Sequence, residues 1–417
     1  MIIITFGIWF LKKYLPNIKS LFKKNSERIP YPFSIEIILL VIFSFIATGI
    51  ASFSLGALGI WKAYFFEPIL VFILILNIYK DKRDWQKILW ALLLSAFSVS
   101  VLAIYQKITG QFIFNEFWAN EETRRVVSWF GYPNAIGLYL APLVLLFAGW
   151  FFSLPHVTTI SKTLKKLFII FVITLSLFSI YFARSEGALI GIIAGMLIFG
   201  LLAGKKRRVA TIIVACLVVG GIFFSTPAKD FVATKLKLQD LSGQIRQRQW
   251  KETFLTLKGV KFFTGAGLNN YQTAVAPVHQ KGIFFNGDNL SNFDEQLRAS
   301  SDLRAKYWQP VEIYMYPHNI FLNFWTEIGL GGALVFMWLL FKAAFMAFKL
   351  TVTYGRENHP EKYLALGLLG ALVVFSVHGL VDVPYFKNDL SVMFWIFLAF
   401  IGLLNFNQKF GNKNIRN

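Results

Sequence analysis

The sequence lacks the two features that hold small secreted domains and soluble enzymes together, namely paired cysteines and abundant charge. Only one of its 417 residues is a cysteine, so no disulfide can form within the chain. Charged residues make up 15% of the chain and hydrophobic residues 56%, and no water-soluble domain can keep that much apolar surface away from water. These shortages exclude a soluble enzyme, a disordered chain and a disulfide scaffold.

Acidic residues are also scarce, with 22 Asp and Glu against 42 Lys and Arg and a net charge of +20. In a soluble protein this excess would suggest nucleic acid as a partner. In a membrane protein the same cations collect in cytoplasmic loops, and the 45 Phe and 12 Trp supply lipid-facing surface and aromatic belts. The composition therefore predicts a multi-spanning protein with membrane lipids, and no nucleic acid, as partners. Cys216 lies in an apolar run and is predicted to be a small packing residue.

Ten stretches approach the roughly 20 apolar residues that a spanning helix needs. They cover residues 33–55, 60–79, 87–106, 134–154, 167–184, 187–203, 208–225, 329–348, 363–381 and 390–407. The predicted fold is an all-α polytopic bundle of about ten to twelve spans. The apolar segment Met1–Phe10 is too short to span, so an interfacial helix or the remnant of a lost span is expected.

Basic residues fall in every second gap between these stretches, as the positive-inside rule requires of cytoplasmic loops. The basic segments are 12–28, 80–87, 162–166, 205–208, 349–362 and 409–416. The long gap before residue 329 must then face outward, and its mixed charges predict a small helical external domain. Four regions result: an N-terminal segment 1–32, a first bundle 33–225, an external domain 226–328, and three last spans with a cytoplasmic tail 329–417.

Two residues stand out at the predicted outer surface. Arg184 lies in a tight hairpin between two spans, and its guanidinium either extends to the lipid interface or grips phosphate oxygens; Gly187 is expected to let the chain turn there. His318 follows Pro317 where the external segment re-enters the membrane, so His318 and Asn319 should begin a helix. The His318 imidazole either is hydrogen-bonded in the lid of the bundle or acts as a general base.

The external segment contains two further candidate features. Arg246 and Trp250 are four residues apart on a predicted helix and share a face, with Arg248 beside them. Gly265 and Gly267 either form a tight turn or bring backbone N–H groups to an anion.

The remaining polar candidates are less specific. Arg124 and Arg125 provide surface charge or an anion contact, and His378 and Asp382, four residues apart, orient a ring or cap a helix. The loop histidines His156, His279 and His359 are expected to have no partners. No spacing suggests a zinc or divalent-metal site, and no nucleophile motif is present.

Several of these motifs, in this order along the chain, resemble the O-antigen ligase family. They are Arg124 to Asn134, Ala183-Arg184-Ser185-x-Gly187, Arg246-x-x-x-Trp250, Gly265-x-Gly267, Pro317-His318-Asn319 through Glu327-x-Gly329, and His378-Gly-Leu-Val-Asp382. The resemblance implies a GT-C-like bundle in the bacterial cytoplasmic membrane with its active site facing outward. It implies metal-independent, cofactor-free transfer of a glycan from undecaprenyl pyrophosphate to a hydroxyl on a lipid, glycan or protein acceptor.

The resemblance also implies residue roles. Arg184 and Arg246 would hold the pyrophosphate and His318 would deprotonate the acceptor, while Arg124, Arg125, Arg248, Asn319, Gly265, Gly267, His378 and Asp382 would bind substrate. Two other functions remain open: a polymerase that extends one lipid-linked glycan with another, and a transporter of lipid-linked sugars. A transporter would carry charges near the midplane and broken helices in both halves, whereas these residues cluster at the predicted outer ends.

Overall fold

The computed structural model describes residues 1–15, 31–79, 82–155 and 160–411. Its helices are α1 (Ile2–Tyr14), α2 (Ser34–Ile50), α3 (Leu55–Ile78), α4 (Lys82–Thr109), α5 (Glu116–Ala119), α6 (Asn134–Ser153), α7 (Ile160–Phe182), α8 (Glu186–Leu202), α9 (Lys205–Phe224), α10 (Thr226–Leu236), α11 (Leu241–Thr256), α12 (Val260–Thr264), α13 (Tyr271–Val275), α14 (Phe293–Ala299), α15 (Ser301–Tyr307), α16 (Ile320–Arg356), α17 (Glu361–His378) and α18 (Asn388–Gly411). A short 3-10 helix (Ala276–Val278) and two short strands, β1 (Gly282–Phe284) and β2 (Trp308–Pro310), complete the described secondary structure.

Eight helices in the described part of the chain are long and apolar enough to cross a membrane, and α2 and α8 are shorter apolar helices. Each of the ten coincides with one of the ten predicted stretches. The all-α polytopic fold is therefore confirmed. Its physical basis is that backbone polar groups in lipid must be satisfied within the segment, which an apolar helix achieves.

The first of two compact units comprises residues 1–42, 60–212 and 335–417. At its centre α6 is buried along most of its length and packs against α17 and α8. A Cβ placed on Gly149 would lie 2.7 Å from the Cα of Gly367, so the two backbones can approach only because both residues are glycine. Small residues at such crossings are typical of helix packing in membranes.

The second unit comprises residues 43–59 and 213–334. It contains α10 to α15, the start of α16, and an antiparallel pair in which Ile283 lies opposite Gln309. Helix α16 is kinked at Gly329, whose φ of 77° lies outside helical geometry. A kink at glycine is expected because glycine adopts positive φ without a Cβ clash.

The prediction for Cys216 was wrong, since this cysteine is exposed on α9, a helix with no buried residue. The apolar helix that contains Cys216 is exposed on all sides in the structure. Its length and composition are those of a helix that contacts lipid. Helix α1 packs against α3 in the first unit, and Lys13 Nζ donates to Asn77 Oδ1 at 2.6 Å.

Parts of the predicted basic segments lie outside the described residues, namely 16–30, 80–81 and 412–417. The same is true of His156, one of the histidines that we expected to have no partner.

Candidate functional site

His318 is held at the start of α16 in the second unit, where the sequence predicts a helix to begin. The Asn319 side-chain oxygen caps the helix by accepting from the backbone N–H groups of Phe321 and Leu322, each at 3.0 Å. His318 itself has a φ of 45°, a left-handed conformation that is costly for a residue with a Cβ. The cap and the strained backbone fix where the half-buried imidazole lies.

Gln249 determines which nitrogen of the His318 ring carries the proton. Its Oε1 lies 2.9 Å from His318 Nδ1, and since a carboxamide oxygen can only accept, Nδ1 carries the proton. In the neutral ring Nε2 then has a lone pair that can accept a proton. Gln249 is 4% exposed, so water competes little for this hydrogen bond.

Trp250 and two tyrosines complete the surroundings of His318. Trp250 Nε1 donates to the carbonyl oxygen of Pro317 at 2.9 Å, which ties α11 to the residue before His318. Tyr314 and Tyr316 meet the imidazole edge-on, with ring centroids 5.0 and 5.4 Å away. These rings limit how far the imidazole can rotate.

Arg246 lies on the same face of α11 as Gln249 and Trp250. Its guanidinium donates to Ser242 Oγ at 2.8 Å. Burial, and secondarily the Glu312 carboxylate, raises the pKa of Tyr314, and the Arg246 guanidinium acts in the opposite direction. Tyr314 thus contacts the His318 ring and is within electrostatic range of the Arg246 guanidinium.

The loop containing Gly265 and Gly267 packs backbone against backbone. A Cβ on Gly265, whose φ is 73°, would lie 2.6 Å from the Thr326 carbonyl oxygen, and one on Gly267 would lie 3.0 Å from the Ala47 carbonyl oxygen. Ala266 N–H donates to Thr326 O at 2.6 Å, and the Glu327 carboxylate accepts from Asn269 N–H at 2.7 Å. These contacts favour the tight-turn interpretation over direct anion binding, and they anchor the loop to α16.

We expect Gly265→Ala to destabilise the second unit by about 1–3 kcal/mol, because the new Cβ adds strain at positive φ and a clash with α16. Thermal unfolding of the purified protein in detergent measures the effect. Gly220→Ala is the matched control, since a Cβ there meets nothing within 4 Å. Equal stability of the two variants would show that the close approach at Gly265 is unimportant.

Arg248 points to a buried carboxylate on its own helix. Its Nε lies 3.1 Å from Glu252 Oε1, and Glu252 also accepts from the Gln280 backbone N–H at 2.9 Å. His279 Nδ1 lies 3.1 Å from Glu252 Oε2 and its Nε2 lies 3.0 Å from Val311 O. The expectation that His279 lacks partners was wrong, because residues 27 and 32 positions away along the chain provide them. His359 Nδ1 likewise lies 3.7 Å from Glu361.

A chain of polar contacts in the first unit joins three of the candidate segments. Arg125 donates from Nε to Ala183 O and from a terminal nitrogen to Asn134 Oδ1, both at 3.0 Å. Asn134 Nδ2 in turn donates to Asp382 Oδ2 at 3.2 Å. The structure thus brings Arg125 and Asp382 together with the hairpin that carries Arg184.

The other candidates of this unit have structural contacts of their own. Arg124 donates to the carbonyl oxygens of Ala119 and Lys107, at 3.2 and 3.1 Å, and so folds its own loop. His378 is buried, and a Cβ on Gly187 would lie 2.7 Å from its ring. Gly187 is therefore needed for close packing of α8 on His378.

Arg184, rather than Gly187, makes the turn between α7 and α8. Its φ is 51°, whereas Gly187 is helical, so the predicted role of Gly187 in the turn was wrong. The Arg184 side chain is exposed, and among the described residues its guanidinium has no hydrogen-bond acceptor. The fold thus leaves a guanidinium open to a ligand at a rigid turn.

Lys387 is a residue that the sequence reasoning missed. Its Nζ lies 4.2 Å from the Phe130 ring centroid and 5.4 Å from that of Tyr132, and burial lowers its pKa, with Asp389 acting in the opposite direction. The available signal was its position, because it is a lysine in a gap that the charge pattern predicts to face outward. Its location beside the loop of Arg125 adds a cation to this end of the first unit.

The comparison with known proteins bears on both units. Residues 170–337 match the sequence model of a family described as O-antigen ligase. This region is similar to an O-antigen ligase domain. The resemblance noted from the sequence motifs is confirmed. No curated protein matches the chain.

The matched region contains seven of the eleven candidate residues. Arg184, Arg246, Arg248, Gly265, Gly267, His318 and Asn319 lie inside it, and Arg124, Arg125, His378 and Asp382 lie outside. The family comprises ligase- and polymerase-type glycosyltransferases of the bacterial inner membrane. At the level of the family, this match supports an O-antigen ligase-type membrane glycosyltransferase.

Proposed function

We propose that the chain transfers a glycan from undecaprenyl pyrophosphate to an acceptor hydroxyl at the outer face of the cytoplasmic membrane. The reaction inverts the anomeric carbon and uses no metal. The observation that carries the proposal is the His318 ring, whose Nδ1 is bound to Gln249 at 2.9 Å. Nε2 of that ring is then the proton acceptor that a hydroxyl nucleophile needs.

The proposed reaction is a single displacement. His318 Nε2 takes the proton from the acceptor hydroxyl as its oxygen forms a bond to the anomeric carbon. The bond from that carbon to the phosphate oxygen breaks, and the pyrophosphate leaves with the electron pair. Because the oxygen attacks the face opposite the leaving group, the configuration is inverted.

Arginines are proposed to stabilise the leaving pyrophosphate. Its negative charge grows as the bond breaks, and cations fixed in advance stabilise such charge most. Arg246 is supported by Ser242 and lies close to His318 through Tyr314. Arg184 is the second proposed contact, because its exposed guanidinium stands on a rigid turn and can bind phosphate oxygens through two parallel hydrogen bonds.

The remaining candidates are proposed to support binding. Arg125 and Asp382 order the loops around Arg184 through Asn134, and Lys387 adds a nearby cation. Asn319 acts through the cap of α16.

The proposal is tested by reconstituting the purified protein in liposomes with a synthetic undecaprenyl pyrophosphate oligosaccharide and candidate acceptors. We expect the glycan on an acceptor and free undecaprenyl pyrophosphate in equal amounts. A single addition indicates a ligase, and a ladder of lengthening lipid-linked glycans indicates a polymerase. Transport of the intact donor across the bilayer without any transfer would overturn the proposal in favour of a transporter.

We expect Gln249→Leu to lower kcat roughly tenfold with little change in KM, because one orienting hydrogen bond of His318 is lost. In Gln249→Glu the introduced carboxylate stabilises the protonated imidazole, so the acid limb of the pH–rate profile should move to higher pH. Gln272→Leu is the control, since its amide donates to Ile313 O instead. A parallel loss of kcat in both leucine variants, with unchanged pH profiles, would reduce Gln249 to a packing residue.

A further inference from the structure

Helix α11 presents two different polar faces. Arg246, Gln249 and Trp250 lie on the face that meets His318 and Pro317. Gln244, Gln247, Arg248 and Lys251 recur at the spacing i, i+3, i+4 and i+7, which places them on one stripe of a helix. At about 100° per residue, this stripe lies on the opposite side of α11 from Gln249.

The second face lines a shallow, open cleft of about 350 Å³ in the second unit. Its other walls include Gln239 and Ile283. A volume of this size is within the range of about 300–1,000 Å³ that is typical of small-ligand sites. The cleft lies wholly within the external segment and is separate from the His318 cluster.

Two of the amides that line the cleft each donate one N–H to a backbone carbonyl oxygen. Gln244 Nε2 donates to Gln239 O at 2.9 Å, and Gln247 Nε2 donates to Lys237 O at 3.1 Å. Each side chain is thereby oriented, and its carboxamide oxygen is the polar atom that remains to accept a hydrogen bond. Acceptors of this kind suit a ligand with several hydroxyl groups.

Two cations stand beside these amides. Arg248 is held through Nε by the buried Glu252 at 3.1 Å, with side-chain exposures of 18% and 3%, and Glu252 is fixed in turn by His279 and Gln280. Lys251 is exposed, and its ammonium group is carried on a flexible four-carbon side chain. A guanidinium fixed in place beside a lysine suits a carboxylate on the same ligand.

We infer that this cleft is a subsite for an acidic sugar of the glycan, one unit or more away from the reacting carbon. The amide oxygens accept from sugar hydroxyls, Arg248 and Lys251 bind the carboxylate of a uronic acid, and Ile283 contacts the apolar face of the ring. The sugar is a distal one because a helix with its side chains is about 10–12 Å across, so the cleft and His318 cannot hold the same ring. The inference rests on the proposed function for the identity of its ligand as part of the substrate.

Direct binding tests the subsite without any transfer reaction. The full-length protein in nanodiscs is titrated with a trigalacturonate, and separately with the matched neutral galactose trisaccharide and with inorganic phosphate. We expect the acidic trisaccharide to bind, the neutral one to bind at least about tenfold more weakly, and phosphate alone not to bind. Lys251→Glu and Gln247→Ala should each weaken trigalacturonate binding about tenfold.

Lys258→Glu is the matched control, because it makes the same charge change at an exposed lysine near the end of α11, outside the cleft. Equal binding of acidic and neutral sugars, or equal losses in Lys251→Glu and Lys258→Glu, would overturn the inference. Phosphate binding comparable to that of trigalacturonate would also overturn it, since a phosphate site would then explain the cations. Selective trigalacturonate binding by a protein without transferase activity would retain the subsite and reject the proposed function instead.

Discussion

His318→Ala abolishes glycan transfer if the proposed reaction is correct, while the protein remains inserted and abundant. Positioned general acid–base groups contribute about 100- to 10,000-fold to the rate of a reaction, so the turnover of the variant should be lower than that of the parent protein by about this factor. In the proposed reaction the ring is the group that removes the acceptor proton. Tyr314 and Tyr316 flank the ring, but burial raises the pKa of Tyr314 and makes it a poor base near neutrality.

The measurement is product formation per mole of purified protein in the reconstituted assay, with donor binding determined separately. His359→Ala is the matched control, since the His359 imidazole lies 3.7 Å from Glu361 and meets the Tyr354 ring edge-on. Donor binding should survive in His318→Ala because the arginines are intact. Full turnover in this variant would reject the general-base role and leave His318 as a hydrogen-bonded residue of the helix start.

The spans could be predicted because length and hydrophobicity alone determine which segments cross lipid. The sequence was less informative where a helix carries polar residues. Helix α16 begins at Ile320, whereas the apolar stretch was placed from residue 329. Asn323, Thr326 and Glu327 interrupt the apolar pattern of the first turns, and these residues are buried by contacts with the rest of the second unit.

The candidate site was predictable only where its parts are close in sequence. The shared face of Arg246 and Trp250 follows from helical spacing, and the cap at Asn319 follows from the residues beside Pro317. The Gln249–His318 contact joins residues 69 positions apart, and Arg125 and Asp382 are linked only through Asn134. No local pattern encodes such contacts, because they depend on how the loops fold over one another.

The positive φ of the hairpin was predicted at the wrong residue, because the prediction went by residue type. Glycine is the usual residue at positive φ, so Gly187 was expected to make the hairpin turn that Arg184 makes. A charged residue with a Cβ at φ 51° costs stability that glycine would not. Because glycine can adopt this conformation without that cost, a glycine substitution gives a direct way to separate the function of the guanidinium from folding.

Arg184→Lys should lower transfer about 10- to 100-fold, because hydrogen bonds to charged groups are worth about 1.5–3 kcal/mol each and the planar fork is lost. A lysine can extend its charge to the lipid interface as well as an arginine can. The substitution therefore preserves an interface anchor and removes only the bidentate contact with phosphate. Activity is measured with donor concentration varied, so that weaker donor binding is resolved from slower turnover.

Two further variants complete this test. Arg184→Gly removes the side chain and relieves the positive φ, so it should be at least as stable as the parent protein and still inactive. Arg208→Lys is the matched control, because Arg208 also lies after a hairpin between two spans and donates to the Leu201 carbonyl oxygen at 2.8 Å. Undiminished turnover in Arg184→Lys would assign Arg184 to the lipid interface. Loss of activity in Arg184→Gly together with loss of stability would show instead that the hairpin depends on the arginine for its fold.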